Sequence, residues 1–292
     1  MAHMEENRRQ TRVRHYDDGV DMWEMTAAPP TAALAGLVRR YTSYRERTAS
    51  FSARRELAAT CGVFIYALGE PLSIIGADGV EVVLDAGEAF VGGVADATSI
   101  SRALGAQIGV QIHLTLPALS AVCGAPVAEI ANRVTPLADL IGAAARDLGA
   151  RLGDASDPHD RFDLLDEFLI RRFADMEAPD RSIVWAMERL SARNAPTVSE
   201  IAAEIGWSRK HLTNRFAAVT GFSSQTYRRL TRFERLSAAI ADRPEESLAM
   251  LALDAGYHDQ SHMTRDVQAF SDMTPGELRR RLLPRQGGVR EE

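Results

Sequence analysis

The 292-residue chain is poor in cysteine, in lysine and in long apolar runs. Its two cysteines, Cys61 and Cys123, are too few for a disulfide framework or a structural zinc cluster, so we interpret both as core thiols. The longest apolar stretch, 61–69, has less than half of the roughly 20 residues that a membrane span requires, and no signal-peptide pattern opens the chain. We therefore expect a cytoplasmic protein without membrane contact.

The charge is distributed unevenly along the chain. Lys210 is the one lysine, so almost all of the basic charge comes from arginine. Residues 181–292 carry 17 basic and 14 acidic side chains, whereas residues 1–180 carry 17 and 26. Because DNA repels an acidic surface, the C-terminal part is the better candidate for binding nucleic acid. The 46% hydrophobic and 25% charged content is that of a globular chain and excludes intrinsic disorder.

The residue pattern of the N-terminal half changes along its length. Residues 1–33 begin with the tag-like MAHM and continue polar and charged, so we expect a loose arm, and apolar spacing over 34–44 predicts a short helix. Short β-type runs separated by glycine turns predict a small β-barrel or sandwich at 56–116, and we expect the barrel. Helical periodicity over 117–178 predicts helices that cover the barrel or pair between subunits. We expect residues 34–178 to form one regulatory or dimerisation domain.

The C-terminal part, residues 179–292, follows a polar linker at 175–180 and shows no strand-like run between 181 and 283. Capping-box patterns at Thr197 and Thr274 mark the starts of two helices. These caps and the apolar periodicity predict seven helices, at 181–193, 198–205, 208–219, 223–241, 247–255, 259–270 and 275–283. The whole chain is therefore predicted to be of the α+β class, with an all-α domain after the β-barrel and its covering helices.

Two segments of this helical part share one pattern, at 198–216 and 248–267. In each, a short helix ends at a glycine, an aromatic residue follows, and a polar turn opens a second helix whose apolar residues are four apart. Glycine takes the left-handed conformation that ends a helix without a steric penalty, and a helix buried along one stripe leaves a polar face for a DNA major groove. The two patterns together predict a pair of helix-turn-helix motifs.

Residues 181–283 resemble the DNA-binding domain of the AraC/XylS family of bacterial transcription regulators, most specifically over 255–265 and 270–275. The resemblance implies a seven-helix domain that places two recognition helices in successive major grooves of one duplex. It also implies base or phosphate contacts for nine residues: Arg209, Lys210, Thr213, Asn214, Gln260, Ser261, His262, Thr264 and Arg265.

The sequence departs from the family pattern at several of these positions. Asn214 stands where an arginine is usual, and Arg215 occupies the next position, which is normally apolar. Because asparagine favours adenine and arginine favours guanine, we expect a DNA sequence preference different from the family norm. Alanines at 217–218 replace basic residues and Asp266 replaces an uncharged one, so we expect fewer phosphate contacts and modest affinity.

Ordinary structural roles compete with these functional ones. Gln260 and His262 on an exposed helix face are also compatible with solvated polar residues, although the motif favours DNA contact. The three arginines at 279–281 resemble a basic patch, and a solvated face explains them equally well. We interpret Trp207 and Tyr257 as core residues packed between helices, without a binding role.

The strand-then-helix order of the N-terminal half is similar to the cupin-like sensor domains that precede such DNA-binding domains. The resemblance implies effector binding or dimerisation there, and both remain open. A metal-dependent cupin enzyme needs three or more convergent ligands, yet His113 is the one histidine between residues 46 and 136. No recognisable nucleophile pattern is present either. We therefore expect no cofactor and no enzyme activity.

A barrel of this size can hold one small ligand when its inward side chains leave room. We expect a mostly apolar pocket lined partly by Phe64, Tyr66 and Phe90, with Arg54 or Arg55 near its mouth as an anion contact. A filled barrel, in which these aromatic side chains are simply core, is an equal alternative.

Together these features predict a sequence-specific DNA-binding transcriptional regulator, controlled through its N-terminal sensor or dimerisation domain. The expected partners are double-stranded DNA, a small-molecule effector, a second copy of the chain in a homodimer and, if the protein is an activator, RNA polymerase. One alternative is an enzyme or binding module fused to a helix-turn-helix, which the missing metal-ligand cluster disfavours. Another is an N-terminal dimerisation scaffold that binds no ligand.

Overall fold

A computed structural model describes residues 9–92, 94–103, 106–174, 180–283 and 288–291. The N-terminal half supplies nearly all of the strands in these ranges, and the C-terminal tail adds one more. In chain order they are β1 (Arg12–Asp17), β2 (Met22–Ala28), β3 (Val38–Arg47), β4 (Ala53–Glu56), β5 (Gly62–Ala67), β6 (Leu72–Ile75), β7 (Glu81–Leu84), β8 (Ala89–Gly92), β9 (Ser99–Ala103), β10 (Gln107–Leu114), β11 (Val134–Pro136) and β12 (Val289–Arg290).

Hydrogen bonds order these strands into two antiparallel sheets instead of one closed barrel. The first sheet has the order β1-β2-β3-β10-β5-β8-β11, and the second has the order β12-β4-β9-β6-β7. Successive side chains of a strand point to opposite faces, so each sheet has one face toward the space between the sheets. This arrangement confirms the predicted α+β class, and it corrects the expectation of a barrel closed by continuous strand pairing.

Two expectations for residues 9–44 are wrong. The expected loose arm contains the hairpin β1–β2, in which Trp23 is buried and stacks on Tyr16 with ring centroids 4.1 Å apart. The helix expected at 34–44 is instead a 3-10 turn at Ala32–Leu34 followed by β3. Because β3 pairs with β2 on one side and β10 on the other, its backbone is satisfied by neighbours that local periodicity does not reveal.

Five helices belong to the described N-terminal half, and most of them pack on the outer face of the first sheet. They are α1 (Leu116–Cys123), α2 (Val127–Ile130), α3 (Leu137–Ile141), α4 (Ala143–Asp154) and α5 (Pro158–Phe173). Leu148 of α4 and Phe162 of α5 are buried with Phe64 and Tyr66 of β5 in one hydrophobic core. The tag-like residues 1–4 and nearly all of the predicted linker lie outside the described residues.

The described part of the C-terminal domain has seven helices, each at a predicted place and with ends within three residues of the predicted ones. They are α6 (Arg181–Leu190), α7 (Val198–Glu204), α8 (Arg209–Thr220), α9 (Ser224–Asp242), α10 (Leu248–Ala255), α11 (Gln260–Ser271) and α12 (Pro275–Arg281). Phe216, Phe233 and Phe270 are fully or almost fully buried at the centre of this domain.

Two findings concern the described residues as a set. No described helix combines the length and the apolar character that crossing a bilayer demands. The described His, Cys, Asp and Glu side chains form no group of three placed to hold a metal ion.

Candidate nucleic-acid interface

The first helix-turn-helix motif consists of α7, a turn and α8. A capping box fixes the start of α7: the Thr197 hydroxyl accepts a hydrogen bond from the Glu200 amide at 3.2 Å, and the Glu200 carboxylate accepts one from the Thr197 amide at 2.7 Å. Gly206 lies in the turn at φ +72°, which strains any residue with a Cβ. Ser208 then caps α8 by accepting a hydrogen bond from the His211 amide. These local bonds set the direction in which α8 leaves the turn.

The first half of α8 presents polar side chains to solvent. Arg209, Lys210 and Asn214 are exposed, and Thr213 is half-buried with its hydroxyl donating to the Arg209 carbonyl at 2.9 Å. On the other side of the helix Leu212 is fully buried in the domain core. The four residues predicted to contact DNA on this helix therefore lie together on its free side.

Two neighbouring residues of this motif have structural contacts. Trp207 packs edge-on against His211, with ring centroids 4.5 Å apart. The Arg215 guanidinium pairs with the Asp180 carboxylate at 2.9 Å, and the same carboxylate caps the start of α6. The Arg215 guanidinium is thus engaged in an ion pair with the start of α6.

The second motif consists of α10, a turn and α11. Gly256 ends α10 in a left-handed conformation at φ +93°. Tyr257 follows, buried to 3% exposure, and the Arg232 guanidinium lies 5.1 Å above its ring. Asp259 caps α11 by accepting a hydrogen bond from the His262 amide at 2.8 Å, and this bond is the main reason that the pKa of Asp259 is lowered. This turn therefore shares three features with the first motif: a glycine with positive φ, an aromatic residue after it, and a side-chain cap at the start of the second helix.

The first half of α11 is the counterpart of the free side of α8. Met263 and Val267 anchor the helix in the core, at 1% and 0% exposure. The predicted contact residues lie on the solvent side, four exposed and the threonine half-buried: Gln260, Ser261, His262, Thr264 and Arg265. The structure thus brings all nine predicted residues onto the free sides of two recognition helices.

Sequence reasoning missed a group of basic residues on α9, the helix that joins the two motifs. Asp266 is 4% exposed and accepts hydrogen bonds from Arg229 at 2.7 Å and from Arg232 at 3.3 Å. Asp266 is the acidic residue from which we expected fewer phosphate contacts. Two arginines therefore balance its negative charge. Their signal in the sequence is the three- and four-residue spacing of arginines over 228–235, which places them on adjoining rows of one helix.

The far ends of both recognition helices contact the N-terminal domain. Gly221 ends α8 against α2, where a Cβ would lie 3.4 Å from the Ala128 amide nitrogen and from a Val127 methyl group. At the end of α11, the Phe270 carbonyl accepts a hydrogen bond from the Ala58 amide at 3.3 Å. The N-terminal domain therefore holds both helices by the ends that are remote from their predicted DNA contacts.

Polar contacts strengthen this attachment. Asp272, just after α11, accepts from Arg55 at 2.9 Å and from Thr98 at 2.7 Å. The Glu234 carboxylate of α9 accepts from both the amide and the hydroxyl of Thr60, each at 2.7 Å. The tail strand β12 pairs with β4 at the edge of the second sheet. The two domains are thus joined through α8, α9, α11 and the C-terminal tail.

A cavity lies between the two sheets, in two adjoining lobes of about 180 and 290 Å³. Phe90 lines both lobes and Arg54 lines the larger one. Phe64 and Tyr66 do not line it, contrary to expectation: alternation along β5 turns them to the opposite face, where they are buried against helices. Arg55 does not line either lobe, because its guanidinium is bound by carboxylates of the C-terminal domain and tail.

Several buried polar atoms of the cavity have no hydrogen-bond partner among the described residues: two guanidinium nitrogens of Arg54, Gln107 Oε1 and His113 Nδ1. The third Arg54 nitrogen pairs with Glu46 at 2.6 Å. Arg40 lies 3.2 Å from His113 Nε2, and burial together with this charge lowers the pKa of His113 to about 3. The larger lobe therefore combines the Arg54 N–H groups and a neutral imidazole with the carboxylates of Glu46 and Glu56, whereas the walls of the smaller lobe are mostly apolar.

Residues 201–281 match a family model described as "Helix-turn-helix domain". This match and the two motifs above define the C-terminal domain as a helix-turn-helix domain of the AraC type, the class found in DNA-binding transcriptional regulators. The resemblance predicted from residues 181–283 is confirmed for this domain.

Individual proteins resemble the chain more remotely. An "Uncharacterized HTH-type transcriptional regulator SAR0107" of Staphylococcus aureus (strain MRSA252) is 28% identical over 83 residues, which are 28% of this chain and 11% of that protein. The match thus spans about a tenth of that relative. ToxT from Vibrio cholerae O395 superposes over 82% of this chain and 98% of its own, with 11% identity and a TM-score of 0.46. The AraC-like transcriptional activator CuxR covers 78% and 87%, with 15% identity and a TM-score of 0.32.

Proposed function

We propose that this protein is a sequence-specific regulator of transcription whose two helix-turn-helix motifs bind one DNA duplex. One observation supports the proposal above others: α8 and α11 both bury one stripe and expose their predicted contact residues together on the other side. Side chains such as Gln260 and Arg265 are of the types that bond base edges in a major groove. Lys210, near the start of α8, is suited to a phosphate, which the helix N-terminus also attracts.

Selection of bound duplexes from a random pool tests this proposal with the full chain. We expect enrichment of a motif with two half-sites about 10 base pairs apart, because two recognition helices on one side of a duplex enter successive major grooves. Recovery of random sequence only would contradict the proposal.

Substitutions on the recognition helices should separate base reading from phosphate binding. Gln260→Ala and Arg265→Ala are each expected to weaken binding to the selected site by about 1–3 kcal/mol, and Gln260→Ala, which removes no charge, should leave binding to random DNA nearly unchanged. Lys210→Ala should weaken both and lower the salt slope of log K by about 0.9. Gln268→Ala, an exposed glutamine further along α11, is the matched control. Equal losses on selected and random DNA for all three variants would remove base reading from the proposal.

We further propose that the N-terminal domain controls DNA binding through the short segment 57–61. Leu57, Ala59 and Cys61 of this segment line the cavity, whereas the alternate residues Ala58 and Thr60 hydrogen-bond to α11 and α9. A ligand that displaces this segment breaks its hydrogen bonds to α9 and α11. The position of the second recognition helix relative to the first then changes. A homodimer formed through the same domain would raise the effective concentration at paired sites, and RNA polymerase is the further partner of an activator.

The unpaired polar atoms of the cavity indicate the chemistry of such an effector. We expect a small molecule with a carboxylate for the free N–H groups of Arg54 and an apolar body for the walls near Phe90. A panel of apolar monocarboxylates should raise the Tm of the full chain, since a ligand bound by the native state alone stabilises it. Arg54→Gln should lose most of that rise, and Arg45→Gln, an arginine 63% exposed on β3, should keep it. No shift with any compound would favour a scaffold domain without ligand.

A further inference from the structure

A groove of about 810 Å³ lies between α9 and the start of α11, next to the predicted base-reading residues. Its positive charge exceeds its negative charge: Asp266 is the one acidic side chain among the described residues that line it, and Asp254, beside the groove, pairs with Arg193 at 2.7 Å. The basic residues in its lining are Arg193, Arg228, Arg229, Arg232, Arg235 and Arg265. Nothing in the helix-turn-helix pattern accounts for this concentration of charge on the connecting helix.

The arginines of the groove are held in place by contacts that leave most of their donors free. Arg228 donates to the Ala195 carbonyl at 2.9 Å, and Arg235 donates to a carbonyl of its own helix at 3.1 Å. Asp266 binds Arg229 and Arg232 through one donor group each. Since a guanidinium has five N–H donors in a rigid fork, each side chain is pre-oriented and still able to bind an anion.

Several positively charged side chains lie close together in the same groove. Burial, followed by the neighbouring Arg232 and Arg193, lowers the pKa of Arg235. The repulsion among these groups is relieved when an anion enters the groove, and phosphate is the anion that a guanidinium fork binds in bidentate fashion.

We propose that this groove binds the sugar–phosphate backbone of DNA between the two major grooves entered by α8 and α11, an inference that rests on the proposed function. The position of the groove supports a DNA strand over a small free anion. The groove is built on the helix that connects the two motifs, and its rim carries His262 and Arg265 from the exposed side of α11. A duplex that engages both recognition helices must cross this connecting region.

Salt-dependent binding of the full chain to DNA tests the groove. In Arg232→Gln/Arg235→Gln, the loss of two phosphate contacts should lower the salt slope of log K by about 1.8 and weaken binding at 0.15 M salt by roughly thirtyfold. The loss should be equal on selected and random DNA, and the selected motif should stay the same. Arg232→Lys/Arg235→Lys keeps the charge and should retain most of the slope. Arg45→Gln/Arg171→Gln removes two exposed arginines of the N-terminal half, outside the groove, and should leave binding unchanged.

The outcomes separate this inference from the proposed function. If the unsubstituted chain selects no DNA motif, the proposed function itself fails. If it selects a motif and the glutamine double variant keeps both slope and affinity, the groove does not bind the backbone and the proposed function stands. The inference would also be overturned if the glutamine double variant selected a changed motif with an unchanged salt slope. It would be overturned equally if pyrophosphate stabilised the unsubstituted chain, the double variant lost this stabilisation, and the double variant still bound DNA. Recovery of the slope in the lysine variant excludes misfolding as the cause of a loss.

Discussion

Replacing Gly149 by alanine is expected to destabilise the N-terminal domain by about 1–3 kcal/mol, the usual range for overpacking a closed site. Gly149 is buried in α4, where a Cβ would overlap the carbonyl oxygen of Gly87 and lie 2.8 Å from its carbonyl carbon. Because both obstacles are backbone atoms, no side-chain rotation relieves the overlap. The turn at Gly87 leads into β8, so the displacement also reaches Phe90 in the cavity wall.

Gly153→Ala provides the control in the same helix. Gly153 is exposed, and a Cβ there meets nothing within 4 Å, so helix propensity alone should stabilise this variant by up to about 1 kcal/mol. Urea unfolding of the full chain, followed by circular dichroism, measures the two changes. Equal stability of both alanine variants would show that α4 does not approach the Gly87 turn as closely as the structure places it.

The C-terminal domain could be predicted from sequence because the signals that define it are local. Thr197 and Thr274 start helices through bonds to residues only three positions away, and Gly206 and Gly256 end helices by their own backbone conformation. Once these boundaries are known, the apolar stripe of each helix follows, and so does its exposed side. The nine candidate DNA-contact residues came from the resemblance to the AraC/XylS family, and they lie on these exposed sides.

The N-terminal domain could be predicted only in outline, because distant pairings decide its details. Helical spacing over 34–44 was overridden by the pairing of β3 with β10, which brings Arg40 beside His113, 73 positions along the chain. The two aromatic residues of β5 were expected in the cavity, yet Tyr66 donates to the Ala145 carbonyl of α4, 79 positions later. Alternation shows which residues share a face, but not which face the helices cover.

The α9 groove was missed for a different reason. Its arginines are visible in the sequence, but no motif connects them with α11, and the substitution at Asp266 suggested a loss of phosphate binding. Only the fold shows that Asp266 lies between Arg229 and Arg232. A buried carboxylate that pairs with two arginines is a matter of tertiary packing, so local sequence comparison has no means of detecting it.

Acid is expected to destabilise the cavity through His113, whose pKa is about 3 in the folded protein against an ordinary value of 6.5. Burial is the main cause, and the positive charges of Arg40 and Arg39 add to it. Above pH 6.5 the imidazole is neutral in both the folded and the unfolded state and contributes no pH dependence. Below that value the unfolded chain binds a proton that the folded one does not, so the free energy of unfolding falls by up to about 1.4 kcal/mol per pH unit.

His113→Gln should remove this contribution while its amide remains able to accept a hydrogen bond from Arg40. Urea unfolding at several values between about pH 7 and pH 5 should therefore give a smaller loss of stability on acidification in the variant than in the unsubstituted chain. His15→Gln, which removes an exposed histidine from β1, is measured in parallel. If His113→Gln shows the same pH dependence as the unsubstituted chain, the imidazole accepts its proton in the folded state as readily as in the unfolded state, and its place in the cavity wall does not lower its pKa.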